Sequence, residues 1–148
     1  MELVLFTGLQ ASGKSSFYRE RFFRTHVRIN LDMLKTRHRE RVLLEACLDA
    51  KQPLVVDNTN PTAQARAAYI AQARGAGFRV AGYYFGSRAS DCLERNALRP
   101  EAERVPDKGV LATAKCLELP KIAEGFDELF YVTLTAEGFV VEEWADEV

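Results

Sequence analysis

The sequence has little of what marks several broad classes of protein. Its 148 residues include three cysteines and two histidines, with no C-x-x-C spacing, which argues against a disulfide framework or a zinc site. No apolar run approaches the ~20 residues that a membrane span requires, and the N-terminus carries no signal-peptide pattern. We therefore expect a cytoplasmic protein without a membrane partner, and a chain of this length is most simply one domain.

The charge is nearly balanced overall but unevenly placed. The net charge is −1, and setting aside the five carboxylates of the last twelve residues leaves +4 on the first 136. We therefore divide the chain into a domain of residues 1–136 and an acidic C-terminal tail of residues 137–148. Eight basic residues lie between Arg19 and Arg41. They form either a surface for a polyanion or an ordinary solvated helix face.

The most specific motif is Gly-Leu-Gln-Ala-Ser-Gly-Lys-Ser at residues 8–15, which fits G-x-x-x-x-G-K-[ST] without a mismatch. An apolar run precedes it and a segment without Gly or Pro follows, the strand–loop–helix context of a phosphate-binding loop. Its glycines turn backbone N–H groups toward phosphate oxygens. Lys14 adds charge for the outer phosphates, and the Ser15 hydroxyl is placed to ligate Mg²⁺. The residues that we assign to the nucleotide site are Gly8, Gln10, Ala11, Ser12, Gly13, Lys14, Ser15 and Ser16.

Apolar runs alternate with helix-forming segments along the rest of the chain. The expected strands cover residues 27–30, 53–57, 78–85, 129–134 and, at an edge, 139–141. The expected helices cover residues 33–51, 60–75, 88–98 and 110–119. This alternation predicts an α/β fold, a parallel sheet of about five strands with helices on both faces, and the loop at residues 8–15 makes it a single P-loop domain.

Two carboxylates are predicted near the phosphate-binding loop, because the carboxyl ends of parallel strands meet at one edge of a sheet. Asp32 follows the second strand and could accept the proton of an attacking hydroxyl, or it could cap the next helix. Asp57 ends the third strand and could bind Mg²⁺ through water, or it could be a buried hydrogen-bond acceptor. For Asp57 the residues leave both interpretations open.

A charged segment rich in prolines follows the fourth strand and its helix. Arg95, Arg99 and Arg104 bracket it, and we interpret residues 95–108 as a lid that brings guanidinium groups to the phosphates. Arginines on a plain surface helix are the alternative.

Several of these segments together resemble the 5′-kinase module of polynucleotide kinases, both the phage type and the kinase half of the animal kinase–phosphatase. The resemblance spans roughly Leu3 to Val132. It lies in the phosphate-binding loop, in Asn-Leu-Asp at 30–32, in Val-Asp-Asn-Thr-Asn-Pro at 56–61 and in Arg-Asn-Ala-Leu-Arg at 95–99. The segments at 105–107 and 120–126 are similar to the adenine-side segments of that family.

The resemblance implies an ATP- and Mg²⁺-dependent kinase that acts on 5′-OH ends of DNA or RNA. In it, Lys14 and Ser15 bind ATP and Mg²⁺, Asp32 is the general base, and Arg95 and Arg99 contact the donor phosphates.

The acceptor side departs from the pattern. Phage-type enzymes carry an arginine three residues after the base, where this sequence has Lys35, a point charge without bidentate geometry. We assign Lys35, Arg37 and Asp57 to the acceptor site. A kinase for a nucleoside, sugar or similar alcohol is the first alternative, and a nucleotide-binding regulatory module without catalysis is the second. The oligomeric state stays open.

Overall fold

The computed structural model describes residues 1–86 and 88–144, which form one six-stranded sheet flanked by helices. The strands are β1 (Glu2–Gly8), β2 (Val27–Ile29), β3 (Leu54–Val56), β4 (Arg79–Phe85), β5 (Glu128–Thr135) and β6 (Gly138–Glu143). The α-helices are α1 (Lys14–Arg21), α2 (Leu31–Leu34), α3 (Arg37–Asp49), α4 (Ala63–Gly75), α5 (Ala89–Ala97) and α6 (Asp107–Cys116). Among the described helices, none has both the length and the apolarity to cross a bilayer.

The sheet order β2-β3-β1-β4-β5-β6 places β1 between β3 and β4. The first five strands in this order are parallel, and β6 runs antiparallel to β5. The α/β class with a mostly parallel sheet is thus confirmed, with six strands where about five were expected.

The two faces of β1 belong to different halves of the core. Leu3 and Leu5 pack in a cluster with side chains of α3 and α4, whereas Val4 and Phe6 pack with side chains of α1 and its C-terminal end. All four are fully buried. Burial on both faces explains why β1 is a continuous apolar run and not an alternating pattern.

The segment that we assigned to an acidic tail contains a strand of the sheet. β6 pairs with β5 over six residue pairs, and the Phe139 ring packs edge-on against Phe17 of α1, 5.1 Å between centroids. Residues 145–148 of that tail lie outside the described residues.

The single helix expected over residues 33–51 is wrong, because α2 and α3 are separate. Lys35 has φ +74° between them, and the Thr36 hydroxyl accepts a hydrogen bond from the Arg39 amide and so caps α3. A threonine cap stabilises a new helix start, and it outweighs the helix propensity of the charged residues around it.

The helix expected to start at Asn60 also begins later. Thr62 caps α4, which starts at Ala63, and Asn60 has φ +42°. Asparagine tolerates this left-handed region better than most residues, so Asn60 turns the chain before the helix. Its side chain is then free to bond elsewhere.

The predicted lid joins two helices. α5 ends at Ala97, a short 3₁₀ turn covers Glu101–Glu103, and α6 begins at Asp107, earlier than expected. The buried Asn96 amide donates to the Val105 carbonyl at 2.5 Å and accepts from the Val105 amide at 3.0 Å. These two hydrogen bonds connect α5 to the residues just before α6 and so fix both ends of the segment.

Candidate active site

A cavity of about 590 Å³ opens at the carboxyl edge of the parallel strands. It is lined by Lys14 and Ser15 from the phosphate-binding loop, Asp32 from the start of α2, Asp57 from the end of β3, and Arg99 from the lid. With Arg37 from the start of α3, six of the predicted catalytic, metal and acceptor residues therefore share one cavity. Tertiary structure brings them together as the strand-end argument predicted.

The phosphate-binding loop is bent by two residues with positive φ, Ala11 at +61° and Gly13 at +101°. Its first residue donates its amide proton to the Thr59 carbonyl at 3.0 Å, which ties the loop to the segment after β3. Gly13 immediately precedes α1, so the free amides of that helix start face the loop. Ser12 is buried within the loop, whereas Ser16 is exposed on α1.

The Lys14 side chain bonds to the backbone of its own loop. It is buried, and Nζ donates to the carbonyls of Gly8 at 3.0 Å and Leu9 at 2.6 Å. Burial, only partly offset by the charge of Asp57, lowers the pKa of Lys14 to about 8. A negatively charged group that binds beside this ammonium would therefore stabilise its charged form.

Asp57 forms a compact group with Ser15 and Arg28. Ser15 Oγ donates to Asp57 Oδ2 at 2.9 Å, and Arg28 Nε donates to the same oxygen at 2.9 Å. Arg28 Nη2 also donates to Ser15 Oγ at 2.9 Å. The Asp57 side chain is 1% exposed and that of Arg28 is 25% exposed.

The same group fits a divalent cation. Asp57 Oδ1 is buried and has no hydrogen-bond partner among the described residues. A buried carboxylate oxygen without a donor is costly, and a carboxylate beside a hydroxyl at a phosphate site supplies oxygen ligands that Mg²⁺ prefers. Ser15 and Asp57 are thus the residues that would hold Mg²⁺.

Asp32 is exposed and lines the cavity from the first turn of α2. It does not cap that helix, because the Asn30 side chain accepts the hydrogen bond from the Met33 amide at 2.9 Å. The helix-cap interpretation of Asp32 is therefore wrong. Its carboxylate lies in the first turn of a helix, where negative charge is stabilised.

Three asparagines hold the loops of the cavity in register. Asn30 Nδ2 donates to the Asp57 carbonyl at 2.6 Å, Asn58 Oδ1 accepts from the Leu31 amide at 2.9 Å, and Asn60 Nδ2 donates to the Phe6 carbonyl at 2.8 Å. Each bond joins residues far apart in sequence. The Asp-Asn-Thr-Asn-Pro segment thus links the ends of β1, β2 and β3.

The far wall of the cavity contains a buried carboxylate that sequence reasoning missed. Glu40 is 6% exposed; its Oε1 accepts from Tyr69 OH at 2.7 Å and Arg37 Nη1 at 3.0 Å, and its Oε2 accepts from Asn58 Nδ2 at 3.1 Å. Burial, followed by the hydrogen bond to Glu40, raises the pKa of Tyr69 to about 12, so the phenol stays a donor. Glu40 therefore fixes Arg37, one predicted acceptor residue, on the cavity wall.

The other predicted acceptor residue, Lys35, is exposed at the junction of α2 and α3 and is not among the described residues that line the cavity. The lid arginines also differ from each other. Arg99 lines the cavity, whereas Arg95 Nη1 donates to the Ala11 carbonyl of the phosphate-binding loop at 3.0 Å. Gln10 adds a second link, since its Nε2 donates to Thr113 Oγ1 of α6 at 3.0 Å.

Weak sequence signals marked the missed residues. Arg28 is a charge in the middle of a three-residue strand, between Val27 and Ile29, and Glu40 is an acid within a basic run. Each residue is an exception to its local sequence pattern, but the pattern does not indicate which residues it contacts. Arg28 contacts residues 13 and 29 positions away, and these contacts depend on the fold.

A family model described as an AAA domain matches residues 35–120. The matched segment is more than half of the chain. It includes α3, β3, α4, β4, the lid and α6, and it begins after the phosphate-binding loop.

The fold is similar to those of several solved proteins. Chaetomium thermophilum Kti12, in complex with ADP-AlF3, has a TM-score of 0.64 at 18% identity, with 88% of each chain covered. A gluconokinase from Sinorhizobium meliloti 1021 has a TM-score of 0.59 at 19% identity, covering 89% of this chain and 82% of that one. The Mycobacterium tuberculosis APS kinase CysC, in complex with AMPPNP and APS, has a TM-score of 0.53 at 21% identity, covering 81% and 83%.

At these identities the matches establish a P-loop kinase-like fold and not a substrate. The resemblance to P-loop kinases is confirmed at that level, which is coarser than a polynucleotide kinase.

Proposed function

Since this chain belongs to the AAA domain family and has a P-loop kinase-like fold, we propose that it is a kinase that transfers the γ-phosphate of ATP to a hydroxyl group. The observation that carries the proposal is the shared cavity, in which a phosphate-binding loop, two carboxylates and a lid arginine face one space. A module that only binds nucleotide needs the loop but has no use for an exposed carboxylate such as Asp32 beside it.

In the proposed reaction each residue has the role that its position allows. The acceptor oxygen attacks the γ-phosphorus, the bond to the bridging oxygen of ADP breaks, and Asp32 takes the hydroxyl proton. Lys14 and Arg99 offset the charge that accumulates on the phosphate oxygens. Arg95 holds the loop backbone in place through the Ala11 carbonyl. Mg²⁺, when bound at Ser15 and Asp57, supplies further neutralisation of phosphate charge.

We propose a 5′-OH end of a DNA or RNA strand as the acceptor. Arg37 and Arg41 line the same cavity as Asp32, and Lys35 and Arg39 are exposed close to them in the chain. Such a cluster suits the phosphates that follow a terminal nucleotide. The resemblance to polynucleotide kinases supports the same choice.

A small polar alcohol is the second candidate, because the acceptor wall also carries a hydrogen-bonded carboxylate. Glu40 and Asn58 line the cavity and form a fixed polar surface with Tyr69. A surface of this kind suits the hydroxyl groups of a sugar or nucleoside. Gluconokinase, one of the proteins of similar fold, acts on such a substrate class by its name.

A transfer assay with γ-labelled ATP and Mg²⁺ tests the proposal. The acceptors are 5′-OH oligonucleotides of DNA and RNA, nucleosides and sugars, each at low and high salt. Asp32→Asn is expected to reduce transfer by at least about a hundredfold, the order of a lost general base. Asp49→Asn, a matched change at an exposed carboxylate on α3, is expected to leave transfer unchanged.

Each outcome selects one function. Label on oligonucleotides that declines steeply with salt supports the polynucleotide acceptor, whereas label on a sugar or nucleoside that is insensitive to salt supports the second candidate. ATP binding without label on any acceptor, equal in the wild type and Asp32→Asn, contradicts kinase activity and favours the regulatory module.

A further inference from the structure

Arg28 stands where the proposed metal ligands are. Its guanidinium donates from Nη2 to Ser15 Oγ and from Nε to Asp57 Oδ2, each at 2.9 Å. The two acceptors are themselves hydrogen-bonded to each other at 2.9 Å. The cation therefore bridges both residues that would hold Mg²⁺.

The arginine is held there by more than the ion pair. Its guanidinium lies over the Tyr18 ring, 5.9 Å from the ring centroid, and Tyr18 OH donates to the His26 carbonyl at 2.6 Å. Contact with an aromatic face favours a cation. The ring is thus fixed by its own hydrogen bond, and it supports the guanidinium of Arg28.

A metal ion bound at Ser15 and Asp57 would compete with the Arg28 guanidinium for the same atoms. Both need the lone pairs of Ser15 Oγ and the charge of a single carboxylate, and two cations a few ångströms apart repel. The side chain of Arg28 is partly exposed and is therefore not fully enclosed by its neighbours. Phosphate groups bound at the loop would offer it a new anionic partner.

We infer that Arg28 is a positioning residue that occupies the pair of proposed metal ligands and makes divalent-cation binding depend on the nucleotide. This inference rests on the proposed nucleotide site. Without phosphates, the guanidinium holds Asp57 Oδ2 and Ser15 Oγ and competes with the metal for them. With phosphates bound, it transfers at least its bond to Ser15 to a phosphate oxygen and leaves the hydroxyl to the metal.

Direct metal binding tests the inference without turnover. Mn²⁺ is titrated into the wild type, Arg28→Gln and Arg28→Lys, with and without ATP, and free Mn²⁺ is followed by electron paramagnetic resonance. Without nucleotide, Arg28→Gln is expected to bind Mn²⁺ at least about tenfold more tightly than the wild type, because one nearby positive charge is removed. Arg28→Lys keeps the charge but not the paired donors of the guanidinium, so its Mn²⁺ affinity should lie between those of the wild type and Arg28→Gln. Arg24→Gln, at an exposed arginine between α1 and β2, is the matched control and should equal the wild type.

The difference in Mn²⁺ affinity between Arg28→Gln and the wild type should decrease when ATP is present. In the wild type the displaced guanidinium then has the phosphates as its partner. Equal Mn²⁺ affinity of the wild type and Arg28→Gln without ATP overturns the inference, as does a lower thermal midpoint for Arg28→Gln without tighter Mn²⁺ binding. If Mn²⁺ and ATP bind normally in that case, the proposed function stands and only the role of Arg28 is lost. Failure of every variant to bind ATP contradicts the proposed function instead.

Discussion

The protonation state of Lys14 should make the affinity for ATP decrease as the pH rises. Burial lowers the pKa of this lysine to about 8 in the nucleotide-free protein. A bound triphosphate places negative charge next to the ammonium and raises the pKa again. Below pH 8 both states are protonated and affinity is constant, whereas above pH 8 the free site loses its proton and binding must take one up.

The size of the effect follows from that pKa. With a value of about 8, roughly nine-tenths of the free sites are protonated at pH 7 and roughly one-tenth at pH 9. Since the bound state stays protonated, we expect the affinity for ATP to decrease by about tenfold between pH 7 and pH 9. The assay is isothermal titration calorimetry at constant ionic strength in two buffers of different ionisation enthalpy. Proton uptake should be close to zero at pH 6.5 and approach one proton per ATP at pH 9.

Lys14→Arg is the control, because arginine does not titrate in this range. Its ATP affinity, even if weaker throughout, should not change between pH 7 and pH 9. A flat profile for the wild type, or the same slope in Lys14→Arg, would refute the assignment of the effect to Lys14.

Two further changes test the scaffold. Arg66 is fully buried and donates to both carboxylate oxygens of Glu124 at 2.8 and 3.2 Å. Arg66→Ala should therefore lower the free energy of unfolding, measured in urea titrations, by about 3–5 kcal/mol. Arg74→Ala, which removes a half-exposed ion pair, should lower it by less than about 1 kcal/mol. Equal effects would contradict a structural role for the buried pair. Glu40→Gln removes the charge that holds the acceptor wall and, through Asn58, the start of α2. It should lower kcat/KM for the acceptor by roughly tenfold in steady-state kinetics with the ATP affinity unchanged, and an equal loss in ATP binding would show that Glu40 supports the whole cavity.

The positions of the strands along the chain and the place of the nucleotide loop were accessible from the sequence because both depend on local patterns. A strand buried on both faces must be apolar throughout, as Leu3 to Phe6 are. The turn at Gly13 needs a residue without a side chain at φ +101°. Alternation of such strands with helices then allows few topologies.

Local competition between signals explains the helix that was predicted wrongly. Residues 33–51 contain no glycine or proline, so propensity favours one helix. The capping bond of Thr36 and the left-handed backbone of Lys35 interrupt it. A side-chain cap competes with helix continuation at the same residues, and the packing of α3 on the sheet decides which arrangement prevails.

The sequence by itself determined that a phosphate-binding loop follows the first strand and that two carboxylates follow the next strands, because spacing along the chain encodes both. Only the tertiary structure decided what Arg28 and Glu40 do. A charged side chain acquires its role from the groups that face it in a site largely shielded from water, and those groups come from other strands and helices.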